Sequence, residues 1–422
     1  MKEDFLHYVW QYKKFRFLDL YTSQGESLVI LNTGQYTQLA GPDFFNAQIL
    51  VNNQKWAGNI EIHLQSSDWY LHQHEKDAAY DNVILHVVWK HDVPVFRKDN
   101  SELPVLELSQ YVDSTAVDKY RGLMSSKSWI YCEKELVSCD AFVLQNWLER
   151  LFFERLERKS IEIQDWLAQT ESDWEAVLFA RLTKNFGLNT NGESFLKIAQ
   201  SITFSIVRKE SLEVKCLEAL LLGQASLLPA SPQDNYANEL KAWYDYLKNK
   251  YHLEPPLMAP VTFFKHRPDN FPTIRLAQLA MLYHLHRNLF TQIIAAHQPQ
   301  EIYKLFDSSV STYWKTHYTF DAFSAVKDKK LSKPFIELLI INTILPIQFA
   351  YAKSIGKDHS EQILSFMSKC KPEMNTTIEK FATFGVKATN AMETQALLQL
   401  KTEYCNQKRC LQCGLGLSFL KQ

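Results

Sequence analysis

Asp43 and Glu61 stand eighteen residues apart in this sequence, and His63 follows Glu61 by two. Paired carboxylates are hard oxygen ligands for Mg²⁺ or Mn²⁺, ions that keep several waters and polarise a phosphoryl oxygen. An imidazole beside them titrates near neutral pH and is suited to orient or deprotonate a water. The same stretch, Gly41 to Asp92, adds Ser67-Asp68-Trp69, His72 and His74, then the apolar run Val83–Trp89 with His86 inside it. Six of the thirteen histidines lie in the first 92 residues: His7, His63, His72, His74, His86 and His91. Imidazoles mixed with carboxylates move metal preference toward Mn²⁺, Fe²⁺ or Zn²⁺. The expected catalytic residues are Asp43, Glu61 and His63, with Asp43, Glu61 and His74 as metal ligands and His72 as another candidate ligand. Plainer roles stand beside these. Asp43 after Gly-Pro caps a turn, Glu61 pairs with an arginine, His72 and His74 ride exposed on a helix, and His86 is a core histidine.

Two further stretches carry chemistry. The tail reads Cys405-x4-Cys410-x2-Cys413, a soft-metal chelate for zinc or an iron–sulfur cluster that wants a fourth ligand, from Cys132 or Cys139. Cys216 and Cys370 read as packing residues. In the middle, His266-Arg267-Pro268-Asp269-Asn270-Phe271-Pro272-Thr273-Ile274-Arg275 is a rigid loop entering a helix. Arg267 and Arg275 are its candidates for gripping phosphate, a job suited to bidentate guanidinium. The alternative is that they fasten the loop to helix ends or to acidic residues of the front domain.

Hydrophobic periodicity supplies the elements that must position these groups. Residues 5–15 read as an amphipathic helix, Leu28–Leu31 as a short buried strand, and Phe45–Val51 as a strand returning through a hairpin tip at Asn52-Asn53. Trp56–Leu64 is its partner, with Ile60, Ile62 and Leu64 on one face and Glu61 and His63 on the other. A helix over 69–80, a strand at 83–89 and a last strand near Val105–Leu108 complete the front. Asp43 precedes one hairpin strand and Glu61 lies on the other, so the two carboxylates are expected to approach. Beyond, the clearest helix is 142–163. Others are expected at 172–186, 193–206, 213–226, 235–250, 273–296, 299–315, 335–351, 359–370, 374–382 and 392–403, with no fixed repeat. The fold class is α+β, with an α/β domain over 1–135 and a helical domain over 136–422 that carries the cysteine tail.

The chain has 422 residues, 46% hydrophobic and 22% charged, an ordinary globular balance. Residues 1–110 hold nine basic and fourteen acidic side chains, so that stretch carries −5 while the whole chain carries −1. That is the opposite of a basic nucleic-acid footprint. No apolar run of about twenty residues and no signal-peptide pattern is read. The expectation is a cytoplasmic protein with no membrane partner. Seven cysteines, an odd number, do not make a disulfide framework.

Several motifs together, GPDF, EIH, SDWxxHxH, YDNVILHVV, HRPDNFPTIRLAQLA and YCNQKRCLQC, resemble a bacterial family found largely in Bacteroidetes, domain-of-unknown-function family 2851. That resemblance implies no activity. The first hundred residues are also similar to the core of PD-(D/E)XK nucleases, in which an aspartate on one strand and a Glu-x-Lys on the next serve Mg²⁺ and the attacking water. Asp43 matches the aspartate and Glu61 the glutamate, while His63 stands where the lysine would be. The resemblance implies a restriction-endonuclease-like mixed sheet and a metal-dependent nuclease or phosphodiesterase acting on nucleic acid. A catalytically inactive scaffold whose helical domain binds a protein partner, and a metal-dependent small-molecule hydrolase, are the other two readings.

Overall fold

The computed structural model of the chain describes residues 1–37, 41–125, 128–231 and 233–421. It divides into two compact units. The first comprises Met1–Trp147, Thr383–Val386 and Leu400–Gln422; the second comprises Leu148–Ala382 and Lys387–Gln399. The tail therefore belongs with the front and not with the helical region, a correction to the boundary at 135. The reason is burial. Leu411, Leu417 and Leu420 pack against the same core as the first helix, a contact that chain order does not reveal.

In the front unit, α1 (Glu3–Gln11) is nine residues long and has no side-chain N-cap bond. A helix that short is not stable alone. Burial of Phe5, Leu6, Val9 and Trp10, each fully shielded, holds it, at about 1.5–3 kcal/mol per side chain. It covers one face of a sheet built from β1 (Leu20–Tyr21), β2 (Ser27–Asn32), β3 (Gln35–Tyr36), β4 (Phe44–Val51) and β5 (Gln54–Gln65), then β6 (Val83–Lys90) and β7 (Val105–Glu107). The order is β1-β2-β4-β5-β6-β7, with β3 paired to β4. β2, β4 and β5 run antiparallel, whereas β6 and β7 run parallel to β5. This is the mixed sheet anticipated. β2 alternates rather than being buried throughout, since Val29 and Leu31 are exposed while Leu28 and Ile30 are not.

The β4–β5 hairpin turns at Asn52 and Asn53, both with positive φ, 48° and 68°. That is the primed turn matching strand twist, and asparagine tolerates it. Alternation along β5 then sends Ile60 and Ile62 into the α1-side core and Glu61 and His63 to the opposite face. On β6, Leu85 and Val87 join the first core. Val88 joins a second cluster with Trp69, Val95, Leu103 and Val105.

The segment expected as one helix over 69–80 is three short turns: α2 (Asp68–Leu71) and 3₁₀ turns at His74–Lys76 and Ala78–Tyr80. Gln73 takes a left-handed φ of 60° and ends the first. Asp77 then caps the last by accepting from the Ala79 N–H. Residues i and i+2 of a regular helix point away from each other. The break at Gln73 frees His72 and His74 from that constraint.

The second unit is helical. Asn235–Tyr251 is continuous, and so is Ala141–Gln169, which belongs to this unit from Leu148 onward. Three expected helices are each broken in two: at Ser201–Thr203, at His286–Asn288 and at Phe306–Ser311. Polar and turn-forming residues interrupt these segments while their apolar period carries on across the gap. One stretch, Lys333–Ser354, is long and apolar enough to cross a membrane, and 72% of its most apolar window is buried inside the protein. This corrects the reading that no such run exists. Glu337, Asn342, Thr343 and Gln348 interrupt its apolar run, which stays apolar on average.

Candidate metal centre

Four imidazoles meet on the face of the sheet away from α1. His63 Nδ1 lies 2.9 Å from His86 Nε2, and His63 Nε2 lies 3.0 Å from His72 Nδ1. The parallel register β5–β6 sets Glu61 beside His86. His74 stacks on His63, with ring centroids 5.3 Å apart, and on Tyr80 at 3.8 Å. Trp69, which is fully buried, walls the group edge-on to His74 at 5.3 Å. Among the described residues, His63, His72 and His74 are the one group of three ligand atoms all within 4.8 Å of each other. Glu61 Oε1 stands 3.5 Å from both His63 Nε2 and His74 Nε2.

Asp43 and Glu61 do come together across the hairpin. The Asp43 N–H donates to Glu61 Oε2 at 3.2 Å, and the Ile62 N–H donates to Asp43 Oδ2 at 3.0 Å. His7 of α1 reaches the same carboxylate, Nε2 to Oδ2 at 3.2 Å. His7 had no assigned part in the sequence reading, nor did Tyr80. The signal for His7 was present, because Glu3 and His7 share a face of α1 at i, i+4.

Burial, reinforced by the neighbouring charge of Asp43, pushes the Glu61 carboxyl up to about 9. Burial and the adjacent imidazoles pull His63 down to about 2, His86 to about 3 and His74 to about 4. All three are therefore neutral at pH 7, each with one ring nitrogen that accepts and one that donates. The buried Nε2 of His74 and Nδ1 of His86 have no hydrogen-bond partner, which is costly unless something else satisfies them.

The loop carrying His72 and His74 is fastened from outside. Asp92, beyond the end of β6, accepts from the Ser66 and Ser67 hydroxyls at 2.8 Å each and from the Ser67 N–H at 2.9 Å. These bonds, after an opposing burial effect, hold its carboxyl below the usual range. Asp68 accepts from the Gln65 N–H at 3.0 Å, and the Trp69 indole donates to the Phe96 carbonyl at 3.2 Å.

The arginines of the middle loop part company. Arg267 is exposed. Arg275 is 5% exposed, donates to Gln278 and Asn270 at 2.8 and 2.5 Å, and lies 3.5 Å over the Phe335 ring. Arg275 is thus a fastener of its own loop and is withdrawn as a phosphate ligand. The cysteines gather. Cys132, Cys405, Cys410 and Cys413 line one narrow cavity that Cys139 does not reach.

No curated protein and no solved structure matches the chain. A family model described as "Protein of unknown function (DUF2851)" matches residues 3–376, from α1 through most of the helical unit. With most of the chain inside that match, the chain belongs to the DUF2851 family of proteins of unknown function.

Proposed function

We propose that the front unit is a divergent nuclease-like core that hydrolyses phosphodiesters in nucleic acid with a divalent transition metal. The observation that carries this reading is the convergence of Glu61 with His63, His72 and His74. Element order supports it. Asp43 precedes β4, Glu61 and His63 lie on antiparallel β5, and a short helical crossover leads to parallel β6, the arrangement that the nuclease resemblance implies.

The residues fit an ion. Nitrogen ligands about 2 Å from a metal stand about 3.3 Å apart, within the spread of these three rings, and the orphaned His74 Nε2 gains a partner. Imidazole donors favour Mn²⁺, Fe²⁺ or Zn²⁺ over the Mg²⁺ of an all-carboxylate site. When bound, such an ion polarises a phosphoryl oxygen and makes its water a better nucleophile. His63, with Nε2 toward the ion, carries its proton on Nδ1 and donates to His86, which fixes the ring. The Asp43–His7 pair beside it is the acid–base candidate for moving a proton. His72, exposed where its partners are buried, marks the side from which substrate arrives.

The test is cleavage of single- and double-stranded DNA and of RNA by the purified chain with Mn²⁺, Zn²⁺ or anaerobic Fe²⁺, against Glu61→Gln and His74→Ala. Metal-dependent cleavage lost in both variants supports the reading. Cleavage that persists in both overturns it. Metal binding with no cleavage of any nucleic acid overturns the substrate assignment and moves the reading to a small-molecule hydrolase, which the histidine-rich ligand set favours.

A further inference from the structure

Cys132 and the three tail cysteines are 273 residues or more apart in sequence, yet they line a single cavity in the front unit, with Leu136 and Leu415 among its other walls. All four are free thiols. The cavity is narrow, about 20 Å³, too little for an organic ligand.

The local backbone is shaped around these sulfurs. Leu400–Cys405 widens into a π-helical turn, a feature that recurs at functional sites. The chain then reverses through Lys408, whose φ is 58°, and enters a 3₁₀ turn at Cys410–Gln412. Beyond Cys413 the chain enters the helix Gly414–Lys421. Gly416 passes so close to Cys410 that a Cβ would stand 2.2 Å from its carbonyl oxygen. No other residue fits there. The four free thiols are crowded together in a cavity with almost wholly apolar walls.

Spacing decides the kind of group. A single zinc ion with sulfurs at 2.3 Å needs them about 3.8 Å apart. No three of these four sulfurs lie within 4.8 Å of one another, since the histidine trio is the one such group among the described residues. A multi-iron cluster holds its thiolates farther apart than one ion does. Cys139, half-exposed and donating to the neighbouring Asp140 carbonyl, lies outside the cavity wall.

We infer that Cys132, Cys405, Cys410 and Cys413 ligate one iron–sulfur cluster, which ties the returning tail to the front unit.

The experiment is anaerobic purification of the full chain, with iron, zinc and acid-labile sulfide measured per chain and the visible and electron paramagnetic resonance spectra recorded before and after dithionite. The expected result is about four irons and four sulfides per chain, lost in Cys132→Ser and retained in Cys139→Ser. Stoichiometric zinc, or no iron and sulfide even after anaerobic reconstitution with both, overturns the assignment in the parent chain alone. That holds even where a cysteine variant fails to fold. Full iron and sulfide in a folded Cys132→Ser chain, judged by circular dichroism, overturns it as well. None of these readouts depends on nuclease activity.

Discussion

Raising the pH from 6.5 to 8 in a chelator should weaken the front unit, and Glu61 should be the main reason. An ordinary carboxyl loses its proton near pH 4.5, whereas burial and Asp43 keep the folded-state proton of Glu61 until about pH 9. Over that interval the folded chain holds a proton that the unfolded chain has released. Stability therefore falls as pH rises, by about 1.4 kcal/mol per pH unit. Between 6.5 and 8 the loss is about 2 kcal/mol. Below 6.5 the sign reverses. His63, His74 and His86 have depressed folded-state values, so the unfolded chain takes up protons that the folded one refuses, and stability drops as pH falls. Urea unfolding followed by tryptophan fluorescence at pH 6.5, 7.25 and 8 measures the slope, and Glu61→Gln isolates it, because an amide does not titrate. The quantity to read is the parent-minus-variant difference, which cancels every other group. A bound ion requires ionised Glu61, so added Zn²⁺ or Mn²⁺ should release about one proton per site at pH 7 and stabilise more as pH rises. Parallel parent and variant slopes would refute the argument, and so would metal binding that releases no proton.

Other outcomes follow from the same contacts. His74→Ala should weaken Mn²⁺ or Zn²⁺ binding at least ~100-fold by titration calorimetry, and His86→Phe, which removes the partner of His63 Nδ1, by about 10–100-fold. Trp69→Ala should cost about 3–5 kcal/mol in chemical denaturation, because the ring is buried and also walls His74. Arg275→Met should destabilise the helical unit by about 2 kcal/mol by stranding Asn270 and Gln278, while leaving any nucleic-acid affinity unchanged in a filter-binding assay.

Much of the site was readable in the sequence, and the reasons differ by residue. The alternation that turns Glu61 and His63 to one face is a period-two property of β5, and the Asn52-Asn53 turn fixes the hairpin register that brings Asp43 to Glu61. Both are local. His86 was harder. A histidine in a continuous apolar strand reads as core, and it is fully buried, but only the parallel pairing of β6 with β5 puts it against His63. His72 and His74 read as helical because Trp69–Tyr80 has the composition of a helix. The left-handed Gln73 that breaks it has no sequence signature as strong as glycine. Arg275 looked like a phosphate ligand because burial of a guanidinium is invisible until the Phe335 ring arrives from sixty residues away. For the tail, Leu411 and Cys413 are short-range ambiguous, and only long-range packing assigns them to the front unit.

The split composition of that front unit has a bearing on synthesis. Its core includes Leu411 from the tail together with Phe5 and Val9 of α1, so α1 leaves the ribosome long before a residue it shares a core with. More than four hundred residues separate partners in one core, and closing that interval costs chain entropy before any contact compensates. The helical unit, lying almost wholly in between, is complete in sequence before residues 400–421 emerge. Nascent chains stalled ahead of Leu400 should accordingly carry a protease-resistant helical region and a front sheet with one patch of its core still bare to chaperones.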